Sequence, residues 1–169
     1  DIRIMFLTVY KSIVDRRIAA KKAKDSVTAD SLKITINGSF GKLGSAYSKL
    51  YAPDLFKQVT ITGQLAMLML IERLHLAGIE VVSANTDGIV TYPYDHQIQT
   101  LDQIVKGWEN ATSFTTERTF YSSIHNRDVN SYIAFKTDGK VKTKGFFAET
   151  SLAKTPAMEI IAKSVVKHL

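Results

Sequence analysis

The sequence predicts an α+β chain built around an antiparallel sheet. Two observations lead there. Apolar residues recur at helical spacing through the first 76 positions, and short apolar runs flanking turn residues follow in the middle and near the end. The resulting order, ααα-ββ-α-ββ-α, gathers helices and strands into runs, as α+β folds do.

Residues 2–24 read as one helix. Ile2, Phe6, Val9, Ile13 and Val14 keep helical spacing, and no Gly or Pro interrupts. Its second half is basic, with Lys11, Arg16, Arg17, Lys21, Lys22 and Lys24 against Asp15 alone. A break follows at 25–28, where Thr28 is the expected N-cap of a second helix over about 29–40. Glycines 38, 41 and 44 are expected to end that helix and open a loop, "GSFGKLGSAYSKLYAPDL". Asp54 would cap a third helix over about 55–76, stopped by Gly78.

"IEVVSA" and "GIVTYP" form a hairpin whose Asp87-Gly88 signals a type I′ turn. "HQIQTLDQIVKGWENAT" is an amphipathic helix. "VNSYIAF" and "KVKTKGFF" are two strands joined by Thr137-Asp138-Gly139. Pro156 stands near the start of a last helix reaching about Leu169. There are no internal repeats and no low-complexity linker.

Composition narrows the chemistry. The 169 residues suffice for a domain with a real core. The absence of cysteine excludes disulfides and thiolate zinc sites, and the four histidines lie far apart. A net charge of +6 favours a polyanionic partner. "LAMLMLIERLHLAG" is the most apolar segment, but Glu72, Arg73 and His75 interrupt it, so no membrane span is expected. No signal peptide is recognised. The start at Asp1, in mid-pattern and without methionine, suggests a piece of something longer.

Several motifs compete. "GSFGKLGS" is neither GxxxxGK[ST] nor GxGxxG, and it follows a helix rather than a strand, so both nucleotide-loop readings fail. As a calcium loop, "NTDG" would need ligands at Ser83 and Tyr94, which are not carboxylates, and its flanks are strands. Alone it is a plain turn. A carboxylate between apolar strands is nevertheless costly unless something positive meets it.

Arg17 and Lys21 share one helix face, as do Lys33 and Asn37 on the next helix. Each pair could be a solvated face; together, aimed at one cleft, they would hold a triphosphate. Lys140, Lys142 and Lys144 alternate on a strand and point to one side. They are either lysines guarding an edge strand or a track of phosphate contacts.

The order of these motifs closely resembles the family B DNA polymerases, especially phage replicative ones. The family's K-x₃-N-S-x-Y-G motif matches Lys33-x₃-Asn37-Gly38-Ser39-Phe40-Gly41. Its catalytic hairpin Y-x-D-T-D-S matches Ser83-Ala84-Asn85-Thr86-Asp87-Gly88, and its K-K-R-Y segment matches Val129-Asn130-Ser131-Tyr132, followed by "GKVKTKG". Phe40 for Tyr keeps a flat ring but loses a hydroxyl, and Gly38 for Ser loosens a helix end. Asn85 replaces the more peripheral of two aspartates, while Asp87 preserves the main metal ligand. The lysines missing from "VNSY" weaken that grip, and the later lysines compensate.

The resemblance implies fingers helices and a nucleotide-binding motif over 1–44, and an incomplete palm with an antiparallel sheet over 45–169. It implies a nucleotidyltransferase parent that adds deoxynucleotides to a primer 3′ end in viral DNA replication, in the cytoplasm of the host. Arg17, Lys21 and Lys33 would bind the incoming deoxynucleoside triphosphate, and Asn37 and Phe40 would line the nascent pair. Asp87 would be the catalytic metal ligand for Mg²⁺. Tyr132, Lys142 and Lys144 would contact primer–template DNA.

Two-metal phosphoryl transfer needs at least two carboxylates bridging ions roughly 3.5–4 Å apart. The family's other carboxylate lies in a D-x-x-S-L-Y-P-S motif that this sequence lacks, as it lacks the exonuclease and most of the thumb. The chain by itself is therefore expected to be inactive, with Glu80 or Asp95 the first places to look for a hidden second carboxylate. It is also expected to self-associate along the unpaired edge of the Asp87 hairpin, near Val81, Val82, Ile89 and Val90. Two other readings remain: a non-catalytic nucleic-acid-binding module, and an interaction domain whose basic faces are merely solvated.

Overall fold

The structure, a computed structural model, describes residues 2–148 and 159–168. Helices α1 (Ile2–Lys22), α2 (Ser26–Leu43) and α3 (Pro53–Leu76) are followed by strands β1 (Glu80–Asn85) and β2 (Gly88–Tyr92). Helix α4 (Ile98–Thr112) leads to β3 (Tyr121–Asp128), β4 (Ser131–Lys136) and β5 (Val141–Lys144), and α5 spans Glu159–His168. The chain is α+β, with all strand pairs antiparallel. It divides into two compact units, Asp1–Gly63 and Gln64–Leu169. Pro156 lies outside the described residues.

In the first unit α1 and α2 form a helical hairpin. Ala20 and Ala29 are buried near its bend, and Lys24 takes a left-handed φ of 58°. The α2 cap is Asp25, not Thr28: an Asp25 carboxylate oxygen accepts from Thr28 N–H at 3.0 Å, and the Thr28 hydroxyl first, then this amide, lower the Asp25 pKa. Glycines 38 and 41 do not end α2. Neither has a positive φ, and the helix runs through both to Leu43, with Gly44 as C-cap. Helical glycine costs only about 1 kcal/mol relative to Ala, so the backbone ladder continues past both. Gly44 is small because Phe56 packs 3.3 Å from where its Cβ would stand. Pro53 opens α3 and puts Asp54 inside the first turn rather than at the cap.

The second unit is organised by one apolar cluster. Leu70, Leu74, Ile79, Leu101 and Trp108 are buried together, with Val81, Ile89, Ile104 and Val105 packed against them. Gly78, at φ 70°, ends α3 and turns the chain so that Ile79 N–H bonds the Leu74 carbonyl at 2.9 Å. Trp108 Nε1–H donates to the Ala66 carbonyl at 2.7 Å. The loop after α4 is tied back by Glu109, whose Oε1 accepts from Thr116 N–H at 2.6 Å and from its hydroxyl at 2.8 Å. Arg118 pairs with Asp102 at 2.6 Å.

The hairpin turn is not type I′. Asn85 pairs with Gly88, so the loop residues are Thr86 and Asp87, and neither has a positive φ. Gly88 has moved into the strand. A bulge between Val81 and Ser83 adds the twist that a primed turn otherwise supplies.

The second sheet has the order β3-β4-β5. β3 was not expected from sequence. Register shifts between Tyr121 and Ser123 and between Asn126 and Asp128 break its alternation, and most of its residues are exposed. Gly145, at φ 63°, closes β5 onto the start of β4. A Cβ there would run into the Asn130 carbonyl oxygen and Ser131 Oγ, which itself accepts from Phe146 N–H at 3.2 Å.

Gly145→Ala therefore combines overpacking of about 1–3 kcal/mol with a left-handed penalty of about 1–2 kcal/mol. It should lower Tm by several degrees in a thermal melt; an unchanged Tm would show that the 130–131 turn yields freely.

The Glu109 carboxyl is held below its ordinary 4.5, first by the Thr116 amide and then by its hydroxyl. A carboxyl whose pKa is lower in the folded state stabilises above its unfolded value and stops doing so as pH falls through the folded one. The Thr116 amide should thus exchange faster, relative to the intrinsic rate, as pH drops below 4.5. Glu109→Gln should remove that dependence, and an acid-insensitive protection factor in the wild type would refute the tie.

Candidate nucleic-acid interface

The β4–β5 pairing sets one face of the second sheet. Tyr132 stands opposite Lys144, and Ala134 opposite Lys142, so all four share a side. Lys142 Nζ lies 6.0 Å from the centre of the Tyr132 ring. Partial burial pushes the Lys142 ammonium down, but the Tyr132 hydroxyl first, and Tyr121 with it, outweigh that and leave its pKa above the lysine value. Lys140 is drawn to Asp138 at 3.3 Å, and Arg127 lies over the Phe146 ring at 4.2 Å. Tyr132, Lys142 and Lys144 are thus brought together, while Lys140, expected on the same strand, lies outside β5.

Asp87 sits at the exposed tip of the β1–β2 hairpin. Its N–H donates to Asn85 Oδ1 at 3.4 Å, an Asx-type contact within the turn. Because the tip is in solvent, its charge needs no buried counter-charge. Glu80 and Asp95 lie toward the other end of the hairpin: Glu80 pairs with Tyr92, five residues down the strand, or about 17 Å at ~3.3 Å per residue. Neither can share an ion with Asp87. The acidic residue across from the hairpin is Asp128, whose Oδ1 accepts from Asn130 N–H at 2.9 Å. With Asn126, Val129 and the Val82–Ala84 segment of β1 it lines an open groove of about 370 Å³. Sequence inspection missed it because β3 was missed.

On the first unit, Arg17 and Lys21 share one face of α1, and Lys33 and Asn37 one face of α2. Arg17 and Lys33 each stand about two turns from the bend between the helices. Arg17 Nε is buried without a hydrogen-bond partner among the described residues, a condition that costs about 1–3 kcal/mol unless an acceptor is supplied. Lys21, Lys33 and Asn37 are exposed. Phe40 is half-buried, one ring face taken by Phe56 at 4.7 Å.

The described residues do not fit a magnesium site by themselves. None of them form a group of three or more His, Cys, Asp or Glu side chains able to hold a metal ion, and Asp87 brings one carboxylate and no neighbour. No helix among them is long and apolar enough to cross a membrane.

DNA polymerase 1 of Sulfurisphaera ohwakuensis is 23% identical over 124 residues, 73% of this chain and 14% of its own length. The chain is distantly similar to DNA polymerases. DNA polymerase 2 of Aeropyrum pernix is 23% identical over 70% of the chain, and DNA polymerase 1 of Saccharolobus solfataricus is 24% identical over 79%. The matched region spans only 14–16% of these relatives' lengths. No family model matches the chain.

Proposed function

We propose that this chain is the nucleotide-binding and primer-holding part of a template-directed DNA polymerase of family B, phage-type, with fingers over 1–44 and palm over 45–169. The observation that carries the reading is the cationic β4–β5 face, where Tyr132, Lys142 and Lys144 converge within a motif order shared with the family. Similarity to DNA polymerases over most of the chain supports it. The parent would add deoxynucleotides to a primer 3′ end in viral replication, in the host cytoplasm.

In this reading Arg17, Lys21 and Lys33 bind the triphosphate. The buried, unpartnered Arg17 Nε favours an anionic acceptor there. Asn37 and Phe40 flank the nascent pair, with Phe56 backing the Phe40 ring. Asp87 contributes one carboxylate to a magnesium site whose other donors are not in this chain, which leaves the chain alone without activity. The β1 edge pairs with nothing among the described residues and borders the groove at Asp128. It is where a further strand, or a second copy, would add.

In the full-length protein, Asp87→Ala should abolish primer extension, while Asn85→Ala, which removes only the Asx contact, should cost far less. Equal losses in a steady-state extension assay would reassign the metal ligand. A wild-type level of extension by Asp87→Ala would instead favour a binding module that needs no carboxylate.

Lys33→Ala should chiefly raise the apparent KM for nucleotide. Lys144→Ala should weaken primer–template binding and flatten its salt slope by about one unit. A Lys33→Ala protein with normal nucleotide KM and reduced DNA affinity would dissolve the proposed triphosphate site.

A further inference from the structure

We propose that Tyr121 is a positioning residue for DNA binding: with Tyr132 it holds the Lys142 ammonium on the strand face that takes up a phosphate backbone. The inference rests on the DNA-binding reading above and adds to it a residue outside every motif that suggested that reading.

The register carries the geometry. Tyr121 on β3 stands opposite Lys136 on β4, while Ala134, two residues before Lys136, stands opposite Lys142 on β5. Tyr121, Tyr132, Ala134, Lys136, Lys142 and Lys144 therefore occupy one face of the sheet. The bulge between Tyr121 and Ser123 matters here, because without its extra residue Tyr121 would point to the opposite face. Ala134, at the centre, is 0% exposed although it carries only a methyl group, so its neighbours' longer side chains close over it. Tyr121 and Tyr132 are both half-buried on this face, Lys142 Nζ lies 6.0 Å from the Tyr132 ring centre, and both tyrosines favour its charged form.

The choice of partner is informative. Two other cations beside this sheet have an acid or a ring next to them: Lys140 has Asp138, and Arg127 has Phe146 and Asp128. Lys142 has no carboxylate partner among the described residues. A phenol orders an ammonium without cancelling its charge. The cation is then fixed before the ligand arrives, and less side-chain entropy is lost on binding. A carboxylate in the same place would order the lysine but neutralise it.

The test is a double-mutant cycle on the full-length protein, with a labelled primer–template duplex titrated across a salt series. Lys142→Met should weaken binding and lower the salt slope by about one unit. Tyr121→Phe removes a hydroxyl and no charge, so it should weaken binding about three- to tenfold with the slope unchanged. In the Lys142→Met background Tyr121→Phe should have no further effect, and in the single variant the Lys142 ammonium should titrate at lower pH by NMR. Additive losses, or an unshifted Lys142 titration, would overturn the inference, since a merely structural tyrosine acts regardless of Lys142. If Tyr121→Phe binds normally while Lys142→Met and Lys144→Ala are impaired, Tyr121 is excluded and the DNA-binding reading stands. If none of the three variants alters binding, both fall.

Discussion

The hydrogen bond from Trp108 Nε1–H to the Ala66 carbonyl is the constraint on which the hairpin unit depends. It joins residues 42 positions apart and locks α4 against the C-terminal part of α3. A buried indole N–H without an acceptor is costly, so the tryptophan has little choice of seat. Once it is seated, Leu70, Leu74, Leu101 and Ile79 close around it, and Val81 and Ile89 pin the two hairpin strands to the same cluster. The inward faces of β1 and β2 are thereby fixed. Their turn must then project away from the core, which is why Asp87 meets solvent.

That placement reverses an argument drawn from the sequence. A carboxylate between apolar runs looked as though it needed a neutralising partner. The strands are in fact only half-buried, and the turn is built from Thr86 and Asp87 rather than Asp87 and Gly88. Helix existence was legible because α4 carries a well-segregated apolar stripe and α1 runs without Gly or Pro. Helix ends were less so: glycines 38 and 41 carried a stop signal that a continuing backbone ladder overrode, and Asp25 outcompeted Thr28 by lying three residues before an amide it could accept from. β3 was hidden for a different reason. Its two bulges shift the alternation twice within eight residues, so no period-2 pattern survives.

The candidate site was legible in part. Lys142 and Lys144 share a side as period two requires, whereas Tyr132 was singled out by the family resemblance alone. What depends on β3 was not: Tyr121 and Asp128 reach the site only through a strand the pattern conceals. The charges of the β4–β5 face and of Arg17 are also of two physical kinds. Lys142 is ordered but still fully charged, whereas Arg17 presents a donor already stripped of water. In the proposed reading the first would meet a mobile, repetitive polyanion and the second an acceptor delivered to one fixed point.

The three-stranded sheet draws on separate support. Ile133 and Ala134 are buried on opposite faces of β4, and neither belongs to the Trp108 cluster. What fixes this sheet at its working end is the close approach of Gly145 to Asn130 and Ser131, which only a residue without a Cβ permits. That contact ends β5 directly after Lys144 and ties the next turn to Ser131, the residue before Tyr132. The spacing of Tyr132 and Lys144 across the sheet is therefore set by backbone contact rather than by the side chains themselves. A damaged Trp108 core would displace the Asp87 tip while leaving the cationic face assembled, and a damaged Gly145 turn would do the reverse. The two chemical elements of this unit rest on two independent packing arrangements, so loss of one function need not report on the other.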